Sequence, residues 1–125
     1  MLEPETLVEA HAQLAQLTHV VAAISEDSVA HTRRAALVAM RRLEPAALAQ
    51  LADAVAARLE DSDEFVRLDA LLTLGKLEPA TLAQHTHAVV ARLYDRPAHV
   101  RRAALLTLGK LGPANLAPHA ALLVK

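Results

Sequence analysis

Seven histidines in 125 residues are the side chains best suited to hold a metal ion. His85 and His87 stand two apart, so on a helix they point nearly opposite ways and cannot share one. His85 and His119 stand 34 residues apart. If they sit on neighbouring helices, the axes are separated by roughly 8–10 Å, and joint ligation at about 2.1 Å is strained. Neither has a carboxylate at helical spacing, so structural or solvent-facing histidines are expected, with no metal site. Ser25, Ser28 and Ser62 fall in or beside turn-forming stretches, where capping accounts for a hydroxyl without nucleophilic chemistry. The chain has no cysteine, which removes disulfides, thiolate catalysis and cysteine-held metals. It also has no glycine-rich phosphate loop. No catalytic residue and no cofactor are predicted.

The remaining charged residues follow a period. Asp27, Asp61 and Asp95 are spaced by 34 residues, as are Arg33, Arg67 and Arg101, and Pro45, Pro79 and Pro113. The stretch VRLDALLTLGKLEPATLAQH (Val66 to His85) returns as VRRAALLTLGKLGPANLAPH (Val100 to His119), and an earlier relative is TRRAALVAMRRLEPAALAQL (Thr32 to Leu51). Self-similarity at this period is the mark of a stacked repeat architecture.

The elements that would position these charges are helices. The chain is 54% hydrophobic but only 2% aromatic, and most of its apolar residues are the strong helix formers Ala and Leu, with Val besides. Pro45 and Pro79 suit the first turn of a helix, where the missing N–H has no partner to lose. From Ala46 to about Leu59, Leu48, Ala52, Val55 and Leu59 form one amphipathic stripe. EDSDE (Glu60 to Glu64) breaks the pattern with side chains fit for helix N-caps. A second helix is predicted from about Asp63 to Lys76, with Val66, Ala70, Leu74 and Leu77 facing inward. Each unit is thus an A helix, a tight turn and a B helix. Such a pair cannot bury its apolar faces alone, so successive pairs stack.

We predict one all-α domain over residues 1–125, an α-solenoid of about three and a half 34-residue repeats. Repeat 1 covers about 4–44, repeat 2 about 45–78 and repeat 3 about 79–112, with a half repeat at 113–125. Residues 4–24 read as one long first helix carrying Leu7, Val8 and Leu14. In the half repeat, Pro118 would break a helix begun at Pro113, so Asn115 is expected as N-cap with the helix starting late, at Leu116. Leu116, Leu122, Leu123 and Val124 would then want a partner, and self-association through the two ends is expected.

DSDEFVRLDALLTLGKL (Asp61 to Leu77) and DRPAHVRRAALLTLGKL (Asp95 to Leu111) resemble the HEAT-repeat family. Each has a turn Asp, Val-Arg five and six residues on, an Ala three later and Leu-Gly near the helix end. DSVAHTRRAALVAMRRL (Asp27 to Leu43) departs at Thr32 and Arg41. Tetratricopeptide repeats share the period but are rich in aromatics, and the Thr-Pro-Leu-His of ankyrin repeats is absent. The resemblance implies a right-handed superhelix with A helices on the convex side and B helices on the concave side. It also implies a structural ladder between neighbouring repeats, here made by Asp27, Asp61 and Asp95 with Arg33, Arg67 and Arg101. Some HEAT-like enzymes hold a di-iron centre through His-Glu pairs, and this chain has no His-Glu dipeptide.

With Val66, Ala70 and Leu74 inward, the opposite stripe of the second B helix carries Phe65, Leu68, Asp69, Leu72 and Lys76. Its equivalents are His31, Arg34, Ala35, Val38 and Arg42 in the first, and His99, Arg102, Ala103, Leu106 and Lys110 in the third. Apolar groups rimmed by charge make a binding patch. The residues predicted to bind are His31, Arg34, Arg42, Phe65, Leu68, Asp69, Lys76, His99, Arg102 and Lys110. The function expected is a non-catalytic scaffold for a protein or peptide partner, with no enzyme activity of its own. Two alternatives are a fragment of a HEAT-like enzyme or lyase with its catalytic parts elsewhere, and a weak nucleic-acid-binding module. A net charge of −1 and the lack of stacking aromatics count against nucleic acid. The start lacks a basic-then-apolar leader, and no apolar run is long enough for a membrane span, so the expected location is cytoplasmic.

Overall fold

The structure is a computed structural model and describes residues 19–119, all of whose regular elements are helical. Residues 19–24 are helical and lead into α1 (Ala30–Arg41). Next come α2 (Pro45–Ala49), α3 (Ala52–Ala57) and a 3₁₀ turn, Arg58–Glu60. They are followed by α4 (Glu64–Leu74), α5 (Pro79–Leu82), a 3₁₀ turn Ala83–His85, α6 (Thr86–Ala91) and a 3₁₀ turn Arg92–Tyr94. Then α7 (Ala98–Leu108), α8 (Gly112–Leu116) and a last 3₁₀ turn, Ala117–His119, complete the described chain.

The starts and stops follow from local chemistry. Pro45 and Pro79 occupy the first turns of α2 and α5. Asp63 is the N-cap of α4, its carboxylate accepting from the Phe65 and Val66 N–H groups at 2.8 and 3.0 Å. The stretch expected as one helix over Ala46–Leu59 is instead two helices and a 3₁₀ turn. At Leu51 the backbone shifts to φ −104°, ψ 4°, and the Leu51 N–H bonds Leu48 O at 2.8 Å, three residues back. His85 repeats the shift one unit later, at φ −115°, ψ 15°. There Thr86 also donates its hydroxyl to Ala83 O at 2.8 Å, a back-bond that bends helices. The bend keeps Leu48, Leu51, Ala52, Val55 and Leu59 all buried.

The half repeat also differs from expectation. α8 begins at Gly112, four residues earlier than Leu116, with Pro113 in its first turn. Gly112 has φ +76°, a left-handed turn out of the preceding segment that a side chain would strain. Asn115 is therefore inside the helix, donating Nδ2–H to Leu111 O at 2.9 Å, and not its cap. Pro118 falls in the 3₁₀ turn after the α-helix has ended. Most of the long first helix (4–18) and Leu122, Leu123 and Val124 lie outside the described residues, as does the self-association expected of them.

The B-type helices α1, α4 and α7 pack side by side in chain order, and α3 and α6 pack against α4 and α7. The core runs through all of them, from Leu37, Met40 and Leu48 to Leu74, Val89, Val100 and Leu111. Two hydroxyls join the B helices. Thr73 shares its proton between Asp69 O (2.7 Å) and Leu37 O of α1 (3.2 Å), and Thr107 does the same with Ala103 O (2.8 Å) and Leu71 O of α4 (3.1 Å). Over Gly75, at the end of α4, lies the side chain of Lys110, so close that a Cβ there would sit 3.3 Å from Nζ. Among the described residues no helix is long and apolar enough to cross a membrane.

Candidate functional site: the B-helix face and its arginine–aspartate links

The turn before each B helix presents an aspartate, and the first turn of that helix presents an arginine. Arg33 makes a two-pronged bond to Asp61 of the next turn, Nε to Oδ2 and Nη2 to Oδ1, each 2.8 Å. Its Nη1 caps the carbonyls of Asp27 and Ser28 at 2.9 and 3.0 Å. Arg67 repeats this one unit on, with Nε and Nη2 on Asp95 at 3.0 and 2.8 Å and Nη1 on the Asp61 and Ser62 carbonyls. A planar guanidinium suits this task because its donors match a carboxylate in pairs. Arg58 and Arg92 add a second cation to Asp61 and Asp95, at 3.3 and 2.9 Å. Arg101 repeats only half of the pattern: Nη1 bonds the Asp95 and Arg96 carbonyls, and among the described residues the fork meets no carboxylate. Asp27 is exposed and accepts from the Val29 N–H.

Burial alone would raise the Asp61 and Asp95 carboxyls. The hydrogen bonds from Arg33 and Arg67, with the charges of Arg58 and Arg92, outweigh it and hold both below the ordinary carboxylate value of 3.8. A depressed folded-state pKa means that the unfolded chain takes up protons first, so these carboxylates contribute fully above about pH 3.8 and lose their contribution as pH falls below it. Urea unfolding at pH 7, 5 and 3 is expected to give similar stability at the first two and a marked loss at the third. Asp61→Asn should lose less between pH 5 and 3 than the parent chain, because one of the titrating links is already gone.

Across the outer face of the B helices runs a stack of three planar groups. The Phe65 ring lies on His99 with centroids 5.2 Å apart and planes 10° from parallel, and the Arg34 guanidinium sits 5.3 Å from the Phe65 centroid. His99 Nε2 is 3.4 Å from Glu64 Oε1, with no hydrogen bond between them. A cavity of about 330 Å³ opens beside the stack, lined by Ala30, His31, Arg34, Asp63 and Phe65.

The structure brings Arg34, Phe65 and His99 together and leaves His31, Arg42, Lys76, Arg102 and Lys110 exposed along the same face. Three residues of the expected stripe are corrected. Ala103 is buried in the core. Asp69 is only 5% exposed, because its position on α4 faces α1, where Arg34 Nε meets it at 2.8 Å and Arg41 Nη2 at 3.4 Å. Leu68 is half-buried against the core and does not stand free at the centre. Val38, Leu72 and Leu106 supply exposed apolar surface instead. Missed altogether was Leu105, 64% exposed. Its equivalents Leu37 and Leu71 are fully buried, each under the B helix that follows, and that dependence on a next helix was the available signal.

His85 Nε2 lies 3.8 Å from Asp53 Oδ1, a partner 32 positions away that helical spacing could not show. Among the described residues no three His, Asp or Glu side chains are grouped so that they could hold a metal ion. The side chain of His119 lies outside the described residues.

A family model described as "Sister chromatid cohesion protein PDS5 protein" matches residues 25–116, the span that holds all three aspartate turns and all three B helices. The chain belongs to this family. Membership of the PDS5 family agrees with the HEAT-like resemblance and with the all-helical structure. No curated protein matches the chain. In PDS5-family terms, the match takes in both complete arginine–aspartate links and the Arg34–Phe65–His99 stack.

Proposed function

We propose that this chain is a non-catalytic scaffold that binds a protein or peptide on the B-helix face, which is the concave side of a right-handed superhelix. In this reading the repeats fall at about 4–44, 45–78 and 79–112, with a half repeat at 113–125. The arginine–aspartate links are its frame. The carrying observation is the Arg34–Phe65–His99 stack, an aromatic platform across three helices with Arg42, Lys76, Arg102 and Lys110 exposed along the same face. The burial of Asp69 matters here: its charge is spent on Arg34 and Arg41, so the exposed charges among the predicted binding residues are the basic Arg42, Lys76, Arg102 and Lys110, with Glu64 beside His99 as an acidic neighbour. That favours a partner segment carrying acidic residues beside an apolar or aromatic anchor. The family's description ties it to sister chromatid cohesion, so the partners to try first are proteins of that process.

Phe65→Glu and the pair Lys76→Glu with Lys110→Glu alter exposed side chains and should leave the melting temperature within a few degrees. Both are expected to abolish capture of the partner by immobilised protein. Unchanged capture by both variants would remove the face from consideration. Retention of nucleic acid, lost in salt with a steep dependence, would put a nucleic-acid-binding module in its place.

A further inference from the structure

His31, Phe65 and His99 hold the same position in successive B helices, 34 residues apart, and the two intervals between them are unlike. Phe65 and His99 close theirs by stacking, with ring centroids 5.2 Å apart. No ring contact joins His31 to Phe65, and the cavity of about 330 Å³ lies there instead. The cause is in the flanking positions. Where the closed interval has Glu64, 3.4 Å from His99, the open one has only the methyl of Ala30. Where the closed one has Pro97 as the N-cap of α7, the open one has Asp63 as the N-cap of α4. Asp63 uses a single oxygen for its cap: Oδ1 accepts from both the Phe65 and the Val66 N–H, and among the described residues no donor meets Oδ2.

We propose that this slot holds the indole ring of a tryptophan from the partner segment. Its lining carries one charge of each sign, Arg34 and Asp63, with His31 and Phe65 as walls. A carboxylate or phosphate entering it meets Asp63, and an ammonium or guanidinium meets Arg34, each a like charge. A neutral aromatic ring suits both: its face attracts the guanidinium, and a polar hydrogen on its rim reaches the carboxylate. Indole is the ring that attracts a cation most strongly, and its N–H is a donor only, matched to the acceptor Oδ2. Phe65 favours the same guest. Arg34 comes to its ring from α1 and His99 from α7, on opposite flanks of α4, so the ring turns its edge to the cavity. That edge is the positive part of the ring and attracts the face of an incoming one. The slot belongs to the B-helix face, so this rests on that face binding a protein segment and names the segment's anchor.

The chain has no tryptophan, so indole emission reports on a bound peptide alone. The probe is a short synthetic peptide with a single tryptophan between pairs of aspartates. Titrated with the full chain, its emission is expected to shift to the blue and to saturate at one site. Asp63→Asn keeps a cap of equal rank and turns the free acceptor into a donor, and should weaken binding about tenfold. A peptide with benzothienylalanine, which has sulfur in place of the N–H, should compete about tenfold more weakly for the parent chain. It should compete alike for the parent and Asp63→Asn, because the two changes remove one interaction. Ala30→Glu copies the closed interval, at the first position of α1 where an acidic side chain is favourable. It should abolish binding with an unchanged melting temperature. A lysine in place of the tryptophan should not compete. Failure to saturate at millimolar protein, or equal competition by the lysine peptide, would overturn the slot. Equal affinity for the parent, Asp63→Asn and Ala30→Glu, beside a loss in the pair Lys76→Glu with Lys110→Glu, would overturn the slot and leave the face standing.

Discussion

Leu74→Ala is expected to lower the unfolding free energy by about 2–5 kcal/mol, the range for deleting a leucine side chain inside a packed core. Leu74 is fully buried on α4, the helix that contacts B-type helices on both of its flanks and α3 as well. A cavity there cannot be filled from one side without opening the other, which places the cost towards the upper part of that range. Urea unfolding followed by circular dichroism measures it. A loss below about 1 kcal/mol would mean that the α4 register is wrong.

The second large effect is at a charge. Arg67→Ala should cost about 1–3 kcal/mol, because it leaves Asp95 with Arg92 alone and strips the Asp61 and Ser62 carbonyls of their donor. Arg67→Lys should recover only part of that loss, since an ammonium cannot make the two-pronged bond. Lys76→Ala, at an exposed site two residues beyond α4, should stay within about 0.5 kcal/mol of the parent. Parent-like stability for Arg67→Ala would show that the arginine–aspartate links do not hold the stack.

The sequence was most legible where chemistry is local. Proline at a first turn and Asp63 as a cap depend on residues within one turn of themselves, and both stand where composition and spacing put them. The B-helix inward stripe was legible for a related reason: a 3-4 spacing of Val66, Ala70 and Leu74 decides which side of α4 is buried before any neighbour is known. What escaped depends on the neighbour. Asp69 is on the edge between the inward and outward stripes, and only α1, with Arg34 and Arg41 reaching across, makes that edge interior. The aromatic stack is invisible in one dimension because Arg34, Phe65 and His99 belong to three different helices. The bends at Leu51 and His85 escaped because an apolar stripe fixes a face but not the straightness of the axis. The start of α8 was misplaced by weighing Pro118 without Gly112, whose positive φ allows the chain to turn early.

The two junctions between B helices are not equally furnished. Between α1 and α4 the link of Arg33 to Asp61 is joined by the pairing of Asp69 with Arg34 and Arg41, whereas between α4 and α7 the position of Asp69 is taken by Ala103. Tension along such a stack is carried in series, every junction bearing the same load. The rod therefore yields at its least fastened joint, and α7 with α8 should peel away while α1 and α4 hold together. Neighbours joined by unequal fasteners give a spring that lengthens in steps, in an order written by which B helix lacks a carboxylate on its edge.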